Sequence, residues 1–194
     1  MKKLSLLFVG LLLGMATIAQ PVVDNAIIPV AVNLNSILRL NVTSGGNIEW
    51  TVNTIDQYQN GIATGPRYQT DFTVASSVDL DINLYAEDAT LLGTDDVNNT
   101  MPLDNIGYNV VSTGGGADGT NWNLPGTVAA LTNAAVPVVS SIAGFGAGDI
   151  TQNAFQIQWE MGTSGTGMNG NSLLQQSIAL DRYTTNVFLV LVPQ

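Results

Sequence analysis

The sequence predicts an all-β fold: an antiparallel β-sandwich of immunoglobulin-like or Greek-key type, with about eight strands after an N-terminal signal peptide. Three observations lead there. From Asp71 to Tyr85 the apolar residues Phe72, Val74, Val78, Leu80, Ile82 and Leu84 all fall on even positions, while Asp71, Thr73, Asp79, Asp81 and Asn83 fall on odd ones. Successive side chains of a strand point to opposite faces, so this stretch has one apolar face and one wet, acidic face. A helical period would carry Asp79 and Asp81 into the apolar stripe. Runs of the same kind recur at roughly ten-residue spacing, which is the pattern of a sandwich. Glycine- and asparagine-rich turns separate them, and no sequence repeat points to a propeller or solenoid.

In order along the chain, Met1-Lys2-Lys3 is a short basic start and Leu4 to Ile18 is almost wholly apolar, with small residues at Thr17 and Ala19. This reads as a secretory signal, residues 1–19, cut after Ala19; the run is short for a spanning helix and has no basic flank on its far side. Residues 20–194 are then one domain, with no membrane span in the mature chain. Ile28, Val30, Val32, Leu34, Leu38, Leu40 and Val42 keep one parity, broken near Asn33 to Ser36 into two strands, and Pro29 favours an edge position. After the Ser44 to Asn47 turn, Ile48, Trp50 and Val52 are the next inward set. Gln57 to Arg67 reads as a loop. In the strand region that follows, Ser76 is the one polar residue on the even face and marks a bend or bulge. Glu87 to Pro102 is an acidic connection, Ile106 to Val111 a short strand, and Gly114 to Asn123 a glycine-rich loop carrying Trp122.

Pro125 to Asp149 fits neither period and reads as short strands joined by glycine turns, since Gly144, Gly146 and Gly148 would break a helix. Phe155, Ile157, Trp159 and Met161 then face in, with Gln156, Gln158 and Glu160 facing out. Ser172 to Leu180 reads either as a helical turn or as a strand with Leu174, Ile178 and Leu180 inward. Asn186 to Val192 is apolar on both faces, as in a strand central to a sandwich or covered by a partner.

Composition narrows the function classes. Once residues 1–19 leave, no lysine remains, and Arg39, Arg67 and Arg182 face 15 acids, for a net charge of −12. That balance excludes a basic nucleic-acid footprint or a polybasic membrane patch. Charged residues are only 10% of the chain, so its surface must be clothed in neutral polar groups or covered by neighbours. With no His and no Cys there is no Ser-His-Asp triad, no thiol nucleophile, no Cys/His zinc site and no disulfide. Without a mature lysine, Schiff-base and P-loop chemistry are also out.

Carboxylate chemistry is what remains. Glu49 and Glu160 lie on polar strand faces, though nothing in their spacing pairs them as sugar hydrolysis requires. Glu87, Asp88, Asp95 and Asp96, with Asn98, crowd one loop and are candidate oxygen ligands for calcium, although they do not follow the EF-hand spacing. Trp122, in its glycine-rich loop, is the candidate exposed ring for stacking on a sugar. Trp50 and Trp159 share parity with core residues and read as core.

The closing run Tyr183-Thr-Thr-Asn-Val-Phe-Leu-Val-Leu-Val192 resembles the last strand of exported bacterial β-sandwich proteins, fimbrial subunits among them. Asp24 to Val42 is similar to the opening strands of such subunits, and a signal ending in Ala19 before Gln20 resembles exported proteins of Bacteroidetes. The lipobox cysteine of that phylum's lipoprotein-type pilins is missing, as is the basic C-terminal tail of its secretion substrates. The resemblance implies a non-catalytic structural subunit at the surface of a Gram-negative cell, in a filament, sheath or layer. Its partners would be copies of itself or other surface proteins. By their own alternation, Ile28, Val30, Val32 and Leu34 read either as an ordinary first strand of the chain's own sandwich or as an assembly strand that adds to a neighbour's sheet. A glycan-binding or adhesive module is the alternative, and a carboxylate glycosidase the third reading.

Overall fold

In the computed structural model of the chain, residues 29–194 are described; the segment 1–19 expected to be a signal, the leader expected from Gln20, and Ile28 lie outside the described residues. The compact unit runs from Asn35 to Gln194. It is all-β, with twelve strands in three antiparallel sheets among the described residues. These are β1 (Leu38–Ser44), β2 (Gln69–Ser76), β3 (Leu80–Ala86), β4 (Thr90–Gly93), β5 (Thr100–Pro102) and β6 (Ile106–Ser112). There follow β7 (Trp122–Asn123), β8 (Ala129–Ala130), β9 (Val136–Ser141), β10 (Ala154–Met161), β11 (Tyr183–Thr184) and β12 (Val187–Pro193). Four of them have only two or three residues, which accounts for the excess over the expected eight.

A five-stranded sheet runs β1-β2-β10-β6-β8, a four-stranded sheet runs β12-β3-β9-β7, and a small third sheet runs β11-β4-β5. One buried cluster joins Phe72 and Ile157 of the larger sheet to Ile82, Val139 and Trp122 of the four-stranded one, so the sheets face each other across a shared core. Aromatic pairs stitch it: Phe72 stacks on Phe155 at 5.3 Å, and Trp122 meets Phe155 edge-on at 5.1 Å. Both arrangements suit the ring quadrupole.

The alternation from Asp71 to Tyr85 holds within the two strands, with Phe72, Val74, Leu80, Ile82 and Leu84 in the core, and lapses between them at Val78, which is only half-buried. The run divides at Ser76. Its hydroxyl donates to the Val78 carbonyl at 2.5 Å and accepts from the Val78 N–H, an ST-type turn that ends β2 and hands the chain to the opposite sheet. In β9, register slips opposite Ile82/Asn83, so Val138 and Val139 are both buried although they are neighbours. Pro137, which has no N–H to offer the ladder, sits beside that bulge.

Several elements depart from the sequence expectations. Pro29 to Ile37 contains no strand, and Val30, Val32 and Leu34 are 85%, 76% and 91% exposed. Where a loop was expected from Gln57, helix α1 (Ile55–Asn60) is present, started by a capping box: the Gln57 N–H donates to Thr54 Oγ1 at 3.2 Å and Gln57 Oε1 accepts from the Thr54 N–H. The acidic connection contains β4 and β5. Of the two readings of Ser172 to Leu180, the helical turn is found, a 3-10 turn at Leu173–Gln175, with Leu174 and Leu180 exposed. The doubly apolar last strand is not central: β12 is an edge. Among the described residues no helix is long and apolar enough to cross a membrane.

Candidate functional site

The edge strands β1 and β12 come together on the same side of the sandwich, and neither has a strand on its outer side among the described residues. After β1, the chain from Asn47 to Asn53 crosses this seam. Ile48, Trp50 and Val52 turn inward and pack on the core, while Glu49 and Thr51 face solvent, the alternation the sequence predicts. Yet the segment belongs to no ladder. Among the described residues, no backbone hydrogen bond ties Ile48–Val52 to any neighbour. Buried backbone groups are nearly always paired, so an unpaired inward-facing run next to an open edge is unusual. The indole Nε1 of Trp50 is likewise buried without a partner among the described residues.

Between this segment and the run Ile178–Leu189 lies a groove of about 920 Å³. Its floor is the core itself: Ile106, Ile157, Trp159 and Met161 line it. Trp50 is held upright by stacking on Tyr68 at 5.5 Å, and Trp159 by its Nε1 donating to Thr70 Oγ1 at 2.9 Å. The rim carries the charge. Arg182 Nε lies 3.2 Å from Glu49 Oε1, a solvent-exposed ion pair worth at most about 1 kcal/mol. Asp181, beside it, accepts from the side-chain amide of Asn99 and from the backbone N–H groups of Thr94, Asp95, Asp96 and Arg182. Those donors, Asn99 first, hold its carboxyl well below the usual carboxylate range. Burial, with Asp181 nearby, pushes the Tyr183 hydroxyl up. The arrangement offers an apolar slot with a polar lip, suited to accepting a chain or an apolar molecule.

The other sequence candidates fall elsewhere. Trp122 is not exposed: it is 0% accessible, and a Cβ at Gly116 would lie 2.3 Å from its Nε1. The glycines of that loop let backbone close over the indole, so no ring face is left for a sugar. Glu160 does not face solvent either but is 9% exposed, hydrogen-bonded to Thr163 beneath the loop that brings Met168 and Gly165 over this face. Glu49 is engaged with Arg182, and the two glutamates are not paired.

The acidic loop is organised from outside itself. Glu87 accepts from Asn186 and Asp88 from Thr185, while the backbone at Asp95 and Asp96 is gripped by Asp181. Among the described residues no three Asp or Glu side chains gather as a metal site would require. Sequence reading missed Asp181 because its partners lie more than eighty positions away. The groove has no local signal in the sequence, although the inward positions Ile48, Trp50 and Val52 beside it do.

No protein-family model matches this chain, and no curated protein matches it either.

Proposed function

We propose that the protein is an exported, non-catalytic structural subunit that builds an ordered assembly, a filament, sheath or layer, on the surface of a Gram-negative cell. The observation that carries this reading is β12. Edge strands of monomeric proteins are usually guarded by charge, inward lysines or shortness, because a flat apolar edge recruits other chains. Val187 to Val192 has no charged residue, and Val187, Phe188 and Val190 are 37–40% exposed. Phe188 rests on Tyr85 at 5.4 Å, which extends the apolar surface onto β3. The small share of charged residues, 10% of the chain, supports the same reading, since few ionised groups would have to be desolvated where copies pack together.

Surface material sheared from cells and imaged by electron microscopy tests it. Ordered polymers containing this chain are expected. A protein that stays monomeric on the cell and at high concentration in vitro would overturn the reading.

A further inference from the structure

We infer that the groove beneath Ile48–Val52 is a binding site for one lipid-like molecule, an unbranched hydrocarbon chain ending in an uncharged oxygen, as in a fatty alcohol or a neutral acyl ester. A single copy of the chain would hold it, so the site stands apart from assembly.

Protein interiors are close-packed, and voids larger than a water molecule are few. Here about 920 Å³ opens beside the core, within the usual range for ligand sites, and its lining includes Ile106, Leu131 and Ile157, which are core residues. Its shape favours a chain. Ile157, Trp159 and Met161 are successive inward positions of β10, spread over about 13 Å of strand, so the floor is a row. An extended hydrocarbon laid along β10 would touch each in turn, whereas a compact ring would leave part of the row uncovered. Met101 and Met161, both in the lining, have unbranched thioether side chains that adapt to such an occupant.

The polar end is set by Trp50. Its Nε1 is buried in the groove wall with no acceptor among the described residues, and a buried donor left unpaired is costly. A ligand oxygen is the partner it lacks. That oxygen carries no charge, because the mouth holds Glu49, Asp181 and Arg182, and Arg182 is already paired with Glu49. A carboxylate or phosphate head would meet a net negative rim on a chain of net charge −10.

Entry is provided by the strap itself. Its ends are fixed: Thr70 Oγ1 donates to the Gly45 carbonyl at 2.6 Å, and the Asn53 N–H donates to Gln57 Oε1 at 2.8 Å. Between them Ile48–Val52 has no backbone hydrogen bond among the described residues, so only side-chain contacts hold it over the groove. A segment tied down in that way opens more readily than a strand in a ladder.

The test uses the full exported chain, passed over hydrophobic resin and titrated with palmityl alcohol while tryptophan fluorescence and melting temperature are followed. One equivalent should saturate the protein and raise its melting temperature by mass action. Trp50→Phe keeps an aromatic ring against Tyr68 and removes the N–H. It should weaken the alcohol about tenfold and leave the affinity for hexadecane unchanged. Leu189→Trp, which fills the groove from β12, should abolish binding of both. Absence of saturable binding, or undiminished binding to Leu189→Trp, would overturn the site. Equal losses for alcohol and hexadecane in Trp50→Phe would overturn the polar contact. Palmitate bound more tightly than the alcohol would overturn the uncharged end, and naphthol bound as tightly would overturn the chain. Binding that fades as copies associate would give the groove to a second copy instead. None of these results bears on whether the protein polymerises, which electron microscopy decides separately.

Discussion

Trp159 shows how one side chain ties together three neighbouring strands of the larger sheet. Its ring meets Tyr108 edge-on at 6.1 Å and its Nε1 is satisfied by Thr70 on the neighbouring strand β2, so both its apolar body and its polar tip are accounted for. Trp159→Ala should cost about 3–5 kcal/mol by leaving a cavity in the core. Asp81→Asn, on the outer face of β3, should change stability by no more than about 0.5 kcal/mol. Equal losses in chemical denaturation would mean the two faces have been interchanged. Asp181 acts differently, as a staple for a distant loop. Its folded-state pKa is depressed, chiefly by Asn99 and then by backbone N–H donors, so its contribution is fully present above its unfolded value of about 3.9 and is lost as pH falls toward the folded one. Amide exchange at Thr94 to Asp96 should therefore accelerate on acidification below about pH 4, relative to the core, and Asp181→Asn should abolish that acid dependence. Exchange at these amides that ignores pH in the native chain, after correction for intrinsic rates, would remove the staple. Asp79 plays the same part for the Gly144–Gly146 turn, whose N–H groups lower its pKa.

At the scale of elements, the open seam is the main feature. Residues Asn47–Asn53 have the alternation of a strand but no ladder, because the chain leaves β1 at the Gly45 turn. There the carbonyl of Gly45 accepts from Thr70 Oγ1 and φ is +63°, where a Cβ would lie 1.8 Å from the Gln69 oxygen. That turn swings the segment off the β1-β2 ladder and over the gap between the sheets. Exposed β12 is the second open element. Val190→Lys places a charge on its outer face, facing solvent rather than core. The variant should melt within a few degrees of the wild type yet lose ordered polymers at concentrations where the wild type forms them. Unchanged assembly would show that this edge is not buried between subunits. Helix α1 is short and carries no buried residue, so its capping box, rather than packing, is what starts it.

For the whole molecule, the compact unit Asn35–Gln194 holds its core without disulfides, through one continuous apolar cluster. Elastase should cut within Val30–Ile37, where small apolar residues are exposed, and leave a resistant product read by mass spectrometry, with the melting temperature of the intact chain. Early cleavage inside β2 or β10 would contradict this arrangement.

How far this was legible beforehand follows from the range of the forces involved. Alternation at Asp71–Tyr85 and Phe155–Met161 is a local property of chain geometry, so the strands, their inward faces and the break at Ser76 can be read from residue order alone. The capping box at Thr54 and Gln57 was equally local and went unread because the helix it begins lacks an apolar stripe. Burial of a polar or loop residue is different, since it depends on what another part of the chain lays over it. Glu160 reads as outward and is covered by the Thr163–Met168 loop; Trp122 reads as a loop aromatic and is enclosed by Gly116 and Phe155. Asp181 looks like one acid among fifteen until folding brings it to Thr94–Asp96. Which strands end up as edges is likewise a matter of sheet order. An apolar run such as Val187–Val192 carries the same pattern in the middle of a sheet as at its rim, and only the pairing of β12 with β3 alone leaves it, and the groove beside it, open.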